Sequence, residues 1–134
     1  MFSIVDLFAG AGGLSCGFGM VEDAAGERLF ETIMAVEIEA DPAATFQVNF
    51  PDAVVLQQDL RDVVEDRLIP DCDVVLGGPP CQGFSRLGKG DPEREYNDLW
   101  KAYVEAISQS SPKYFIMENV PQFLNSPERI LFEN

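Results

Sequence analysis

A cysteine on a rigid turn is the residue of this chain best suited to covalent chemistry. Cys81 follows Pro79 and Pro80, which come soon after the apolar run Asp73 to Leu76. Such a run is typical of a buried parallel strand, and open α/β sheets keep their active sites beyond the carboxyl ends of these strands. The prolines fix φ, so they would hold the thiol still before a substrate arrives. Cys81 is therefore the predicted nucleophile, the alternative being a small buried apolar residue.

A carboxyl group near this thiol could supply the proton that such chemistry needs. Glu118 ends a second apolar run, Lys113 to Glu118, which is typical of a neighbouring strand. A thiol beside a protonated carboxyl suits addition to an electron-poor ring, with the acid protonating a ring nitrogen. Because the chain contains no histidine, acid–base steps fall to Asp, Glu, Lys, Tyr or Cys. The alternative is that Glu118 caps the next turn.

A glycine-rich turn, Phe8 to Gly12, follows the first apolar run of the chain. Its glycines would let backbone N–H groups approach a ligand closely, with a helix N-terminus behind them. The dinucleotide fingerprint G-x-G-x-x-G fails because Ser15 occupies the third glycine position. The pattern therefore favours a nucleoside ligand without a pyrophosphate, a plain strand-to-helix turn being the alternative.

Two acidic residues near the ends of further predicted strands could bind the rest of such a nucleoside. Glu37 could accept hydrogen bonds from both ribose hydroxyls, and Ile38 could pack on the base. Asp59 could accept a hydrogen bond from the exocyclic amine of adenine. The alternatives are a surface glutamate at position 37 and a helix N-cap at position 59.

Strand-like and helix-like segments alternate along the chain, which predicts an α/β fold with a parallel sheet and right-handed crossovers. Every candidate residue then lies at the carboxyl end of a strand, on one rim of the sheet. A long loop is predicted from 78 to 96. The predicted strands are Ser3–Phe8, Glu31–Glu37, Ala53–Leu56, Asp73–Leu76 and Lys113–Glu118; the predicted helices are Leu14–Met20, one capped by Asp41 with Pro42 first and ending near Phe50, Leu60–Leu68 and Leu99–Ser108.

Composition narrows the class of protein further. The 134 residues are 46% hydrophobic, which predicts one globular domain, and the apolar runs are too short to span a membrane. No export signal opens the chain, and the three cysteines show neither disulfide nor zinc spacing, so we expect a cytoplasmic protein without a metal. Cys16 and Cys72 are interpreted as small buried residues. The net charge of −14, taken alone, argues against nucleic-acid binding.

Together these motifs resemble the cytosine-5-specific DNA methyltransferase family, in the family's order and over nearly the whole chain. The pairing of Pro80-Cys81-Gln82 with Glu118-Asn119-Val120 is highly specific. The matching segments are Asp6–Gly13, Glu37–Phe50, Asp59, Gly78–Ser85, Asn97–Leu99 and Met117–Val120.

The resemblance implies a Rossmann-like, S-adenosylmethionine-dependent methyltransferase fold, here a parallel five-stranded half-sheet flanked by helices. It implies a cytosine flipped out of DNA, attacked at C6 by Cys81 while Glu118 holds N3 and the exocyclic amine, and methylated at C5. Residues 83–96 resemble the family's mobile lid. The implied catalytic residues are Cys81, Glu118, Pro80, Gln82 and Asn119, and the implied S-adenosylmethionine site comprises Phe8, Ala9, Gly10, Ala11, Gly12, Gly13, Glu37, Ile38, Asp59, Leu60, Pro80 and Leu99.

The chain also departs from the family. A Gln-x-Arg-x-Arg element, the target-recognition region and the C-terminal segment that completes the cofactor site are not found, so the basic DNA-contacting part is missing. We expect the N-terminal half of a catalytic domain, inactive alone: a truncated piece, a natural subunit of a two-chain enzyme or an inactive remnant. Its fifth strand would leave an edge for self-association or for a complementary C-terminal chain. The alternative functions are methylation of cytosine in transfer RNA and non-catalytic binding of S-adenosylmethionine or a partner.

Overall fold

A computed structural model describes residues 1–80 and 92–119, with the backbone alone for residues 92–98. Five strands form one parallel sheet in the order β3-β2-β1-β4-β5. This arrangement confirms the predicted α/β fold. The strands are β1 (Phe2–Leu7), β2 (Phe30–Val36), β3 (Val54–Leu56), β4 (Val74–Gly77) and β5 (Tyr114–Met117), and the helices are α1 (Gly13–Gly19), α2 (Ala40–Asn49), α3 (Leu60–Glu65) and α4 (Pro92–Ser110).

Helices cover both faces of the sheet, because side chains of a central strand point alternately to either side. In β1, Val5 and Leu7 join a core with α3 and α4 that includes the fully buried Tyr103. Ile4, on the opposite face, packs with residues of β4 and α1. A further cluster holds α2 against β2 through Phe46. The result is a three-layer fold whose central strands are buried on both faces.

Each strand lies within one residue of its predicted bounds, whereas four helix boundaries differ by two residues or more. Helix α2 begins at Ala40 with Glu39 as its N-cap, so the prediction of Asp41 as the cap is wrong. Pro42 is the third helical residue, where it is tolerated because the first four helical N–H groups have no partner within the helix. Helix α3 ends at Glu65, three residues early, because Arg67 has a φ of 53° that no α-helix continues.

The predicted loop from 78 to 96 is too long, since α4 begins at Pro92. Proline favours the first helical position because its fixed φ suits a helix and its missing N–H would be unpaired there. The charged residues that follow, 93–95, indicated a loop by their polarity alone, yet glutamate and arginine are good helix formers. The rest of the predicted loop, residues 81–91, lies outside the described residues.

Strand β5 pairs with β4 on one side and forms the outer strand of the sheet as described. Its side chains are apolar and yet exposed: Tyr114 is 72%, Phe115 43% and Ile116 41% exposed. The sequence of this strand is thus typical of a buried position, whereas its place within residues 1–80 and 92–119 is an edge.

The turn between β1 and α1 needs glycine for packing as well as for conformation. Gly12 has a φ of 97°, and a Cβ there would lie 2.7 Å from Phe50 Cε2 and 3.0 Å from Phe46 Cδ2. Its backbone therefore fits against α2 and leaves no room on that side for a ligand. Gly10 also has a positive φ, of 56°, but open space lies where its Cβ would be.

We expect Gly12→Ala to lower the free energy of unfolding by roughly 2–4 kcal/mol, through left-handed strain and overpacking against the phenylalanines. Gly17→Ala is the matched control, because a Cβ there meets nothing within 4 Å. That variant should be neutral or stabilised by up to about 1 kcal/mol, since alanine favours a helix. Urea unfolding of both variants measures the difference, and equal midpoints would refute the packing role of Gly12.

Candidate functional site

The carboxyl ends of the strands lie together along one rim of the sheet. Leu7 is in register with Val36 on one side and with Gly77 on the other, and Gly77 is in register with Met117. Backbone hydrogen bonds continue past the strands, from Glu118 N to the Gly77 carbonyl at 2.9 Å. The residues that follow each strand therefore share one edge, as the sequence predicted.

Phe8 begins the glycine turn in a strained conformation. Its φ is 57°, in the left-handed region, which costs a residue other than glycine about 1–2 kcal/mol. The ring lies 6.3 Å from that of Tyr103, centroid to centroid, so it is held against α4. Strain of this kind tends to occur at functional sites, where the surrounding structure maintains it.

Glu37 ties the glycine turn to the end of β2. Its Oε2 accepts a hydrogen bond from Gly10 N at 2.7 Å, and its Oε1 accepts one from Glu39 N at 2.9 Å. Each carboxylate oxygen has a second acceptor position, so both remain able to receive a ligand hydroxyl. Glu37 is half-buried, and its two backbone hydrogen bonds hold its carboxylate in place at the rim.

Asp59 caps α3, which confirms the N-cap alternative, and it also faces the rim. Its Oδ1 accepts a hydrogen bond from Arg61 N at 2.9 Å. The Arg61 side chain forms an ion pair with the same carboxylate, with Nη2 2.6 Å from Oδ2. Hydrogen bonds from Arg61 hold the pKa of Asp59 below its usual range, against a smaller opposing effect of burial. Capping and ligand binding are compatible because the carboxylate has acceptor positions beyond those the cap uses.

One pocket of about 390 Å³ brings most of the predicted side chains together. The glycine-turn residues 9–13 lie outside its wall and connect to it through the bond from Gly10 to Glu37. Predicted residues in the wall are Phe8, Glu37, Ile38, Asp59, Leu60, Pro80 and Leu99; residues that the sequence did not single out are Val36, Glu39, Gln58 and Arg61.

The predicted acid lies beside the turn that leads to the predicted nucleophile. A Cβ on Gly78 would lie 3.3 Å from Glu118 Oε2, and Asn119 Nδ2 donates a hydrogen bond to the Pro79 carbonyl at 3.3 Å. Glu118 is exposed. Cys81 and Gln82 lie outside the described residues, as do residues 83–91 of the predicted lid (83–96), whose residues 92–96 belong to α4. Pro80, the last described residue before them, is part of the pocket wall.

The two other cysteines differ from each other. Cys16 is exposed, so its interpretation as a buried residue is wrong. Leu14 and Phe18, four residues apart, direct one face of α1 to the sheet, and a residue midway between them points away from it. Cys72 packs partly against the core, and burial raises the pKa of its thiol.

A buried carboxyl group lies beneath the glycine turn, and sequence analysis gave it no separate role. Asp6 and Ser15 are each 1% exposed, and Ser15 Oγ donates to Asp6 Oδ2 at 2.6 Å. Burial raises the pKa of Asp6 from 3.8 to about 6, with opposition from the Ser15 hydrogen bonds and a smaller contribution from the charge of Glu37. The signal in the sequence that could have indicated this buried carboxyl group was an acidic residue within an apolar strand.

This shift makes a testable contribution to stability. Because the folded-state pKa is raised, Asp6 contributes fully below its unfolded value of 3.8, and the contribution is lost as the pH rises through about 6. Between about pH 4 and pH 7, we expect the free energy of unfolding of the unchanged chain to fall by about 2–3 kcal/mol relative to that of Asp6→Asn. Urea unfolding across this range measures it, with the exposed Asp52→Asn as control. Parallel pH profiles for Asp6→Asn and the unchanged chain would contradict the shift.

A metal site and a membrane-spanning helix are both absent from the described residues. Among residues 1–80 and 92–119, no group of three or more His, Cys, Asp or Glu side chains could hold a metal ion. None of the described helices is long and apolar enough to cross a membrane.

The sheet order, the flanking helices and a pocket at the rim define a Rossmann-like α/β fold, and solved methyltransferases share it. Comparison with solved structures agrees. A protein described as a prophage-encoded DNA modification methyltransferase of E. coli shares 32% identity with a TM-score of 0.73, over 98% of this chain and 36% of that one. A Spodoptera frugiperda DNMT2 structure shares 26% identity with a TM-score of 0.70, over 99% of this chain and 40% of that one.

The family is shown by the sequence. The model of the C-5 cytosine-specific DNA methylase family matches residues 2–134, so the chain belongs to that family. The type II methyltransferase M1.HphI of Haemophilus parahaemolyticus is 46% identical over 127 residues, which are 87% of this chain and 32% of the relative. The chain thus spans about a third of the length of this relative.

Proposed function

We propose that this chain is the cofactor-binding and nucleophile-bearing part of an enzyme that methylates C5 of cytosine in DNA. The observation that carries the proposal is the pocket of about 390 Å³ at the rim. It gathers the side chains predicted to hold a nucleoside, and one of its walls is Pro80, next to Cys81. Membership of the family supports the same reaction.

The pocket suits S-adenosylmethionine as the methyl donor. Its volume of about 390 Å³ lies within the range of roughly 300–1,000 Å³ that is typical of small-molecule sites. In this proposal Glu37 accepts from the ribose hydroxyls and Asp59 from the amine of adenine. The apolar wall for the base comprises Phe8, Ile38, Leu60, Pro80 and Leu99. The glycine turn behind Glu37 comprises Ala9, Gly10, Ala11, Gly12 and Gly13.

The proposed reaction uses the thiol of Cys81 and the carboxyl group of Glu118, which lies beside the turn that leads to Cys81. S-adenosylmethionine, when bound, supplies the methyl group. The Cys81 thiolate adds to C6 of a flipped-out cytosine while Glu118 holds N3 and the exocyclic amine, so that electron density reaches C5. Transfer of the methyl group to C5 would leave S-adenosylhomocysteine, and loss of the C5 proton to water with departure of the Cys81 thiolate would restore the ring. Pro80 and Gln82 position the cysteine, and the bond from Asn119 to Pro79 joins the acid's strand end to the turn.

DNA is favoured over RNA as the proposed substrate. The matching family is one of DNA methylases, and M1.HphI, which is 46% identical to this chain, is named a type II methyltransferase. The net charge of −14 fits this proposal only if other parts of the enzyme supply the basic groups that bind phosphates.

We propose that the edge of β5 receives a complementary C-terminal segment that completes the sheet. The exposed side chains of Tyr114 and Ile116 support this, because an apolar strand at the edge of the described sheet invites pairing. Self-association through the same edge is the alternative, and analytical ultracentrifugation of the chain alone distinguishes a monomer that awaits a partner from a dimer.

A chimeric enzyme tests the proposed function. The 127 matched residues of M1.HphI are replaced by the matching part of this chain, and transfer of labelled methyl groups to DNA and to transfer RNA is compared. We expect methylated DNA, and covalent trapping on a duplex that contains 5-fluorocytosine. A folded chimera that binds S-adenosylmethionine and methylates neither would contradict the catalytic proposal, and methylation of transfer RNA alone would favour the RNA alternative.

A further inference from the structure

Arg61 lines the rim pocket and is used by none of the assignments above. It is the second residue of α3. A cation in the first turn of a helix opposes the helix dipole, so the helix itself gives no reason for arginine there. Its side chain lies beside Asp59 in the pocket wall, and the two residues form an ion pair.

The guanidinium of Arg61 donates two parallel hydrogen bonds to the Asp59 carboxylate. Nε donates to Oδ1 at 2.9 Å, and Nη2 donates to Oδ2 at 2.6 Å. The Arg61 backbone N–H also donates to Oδ1, at 2.9 Å. A carboxylate has roughly four acceptor positions, so these bonds leave about one free, and it lies on Oδ2.

This arrangement constrains both the chemistry and the geometry of the acceptor. The hydrogen bonds from Arg61 keep Asp59 ionised, so its carboxylate can accept and cannot donate. The Asp59 side chain is only 18% exposed, and a bidentate arginine holds a carboxylate in one orientation. A ligand group opposite Oδ2 must then be an N–H or O–H donor.

We propose that Arg61 is a positioning residue that holds Asp59 with one acceptor position available to the pocket, and so makes the pocket select a 6-aminopurine nucleoside over a 6-oxopurine nucleoside. The inference rests on the proposed function, because it places the base of the cofactor beside Asp59. An amino group at C6 donates to Oδ2, whereas a carbonyl at C6 meets a second acceptor and leaves Oδ2 unpaired.

Two neutral nucleosides that differ at C6 test this selection. Calorimetric titration of 5′-methylthioadenosine and 5′-methylthioinosine into the 134-residue chain gives the ratio of their affinities. The ribose and the thioether are the same in both nucleosides, so the ratio reports on the group at C6. We expect the adenosine to bind roughly tenfold to hundredfold more tightly. In Arg61→Met, the ratio should fall to about threefold or less. The same is expected of Arg61→Lys, which keeps the charge but cannot form the two parallel hydrogen bonds.

Arg67→Met is the matched control, because Arg67 is exposed beyond α3 and is not in the pocket wall. It should keep the ratio of the unchanged chain, and urea unfolding checks that all three variants are folded. A ratio unchanged in both Arg61 variants would overturn the inference alone. Failure of the unchanged, folded chain to bind either nucleoside would overturn the proposed nucleoside site, and the inference with it.

Discussion

Cys81→Ala should abolish methyl transfer by the chimeric enzyme described above, with a loss of at least roughly 10³-fold. Alanine cannot add to C6 of cytosine, so C5 never becomes nucleophilic enough to take the methyl group. The same variant should give no covalent adduct with a 5-fluorocytosine duplex. Binding of S-adenosylmethionine should change little, because a cysteine-to-alanine change leaves Pro80 and the acidic residues of the pocket in place.

Cys16→Ala is the control for this experiment, since Cys16 is an exposed cysteine on α1 and is not in the pocket wall. It should leave turnover and trapping unchanged. Near-normal turnover by Cys81→Ala would remove Cys81 as the nucleophile.

Glu37→Ala should weaken binding of S-adenosylmethionine by roughly 10²-fold to 10⁴-fold. The estimate follows from the loss of two hydrogen bonds to a charged group, at about 1.5–3 kcal/mol each. The substitution also frees Gly10 N and Glu39 N, which Glu37 holds at 2.7 and 2.9 Å, so the glycine turn loses its tie to β2. Isothermal titration calorimetry measures the affinity of both proteins.

Glu39→Ala removes the same charge from the same pocket wall and serves as the matched control. The Glu39 side chain makes no capping hydrogen bond to α2, so the fold should not depend on it. We expect its affinity to stay within about threefold of the unchanged chain, as for a solvent-screened charge. Equal losses in the two variants would mean that the pocket responds to charge alone and that Glu37 does not hold the ribose.

The strands were predictable because each is a short apolar run, and a strand buried on both faces has that composition whatever its neighbours. Helix ends depended on finer signals. Pro92 marked the start of α4, but the charged residues after it also suited a loop. Whether Cys16 is buried depended on which face of α1 meets the sheet, and a seven-residue helix with few apolar residues gives only a weak indication.

The candidate site likewise has residues whose place could be predicted from the sequence and residues whose place could not. Glu37 and Asp59 were predictable because parallel strands bring their carboxyl ends to one rim, so position along the chain determined position in space. The fork of Arg61 on Asp59 was not, because it depends on side-chain conformation within one turn of helix. The second role of Gly12, as the surface against which Phe46 and Phe50 pack, likewise required the position of α2 relative to the turn.

The central claim is that these residues form a site for S-adenosylmethionine, and titration of this cofactor into the unchanged 134-residue chain tests it most directly. Circular dichroism and urea unfolding first establish that the chain is folded. The proposed site predicts saturable binding of one cofactor per chain. A folded chain that releases no heat and shows no thermal stabilisation with the cofactor would contradict the assignment of the rim pocket.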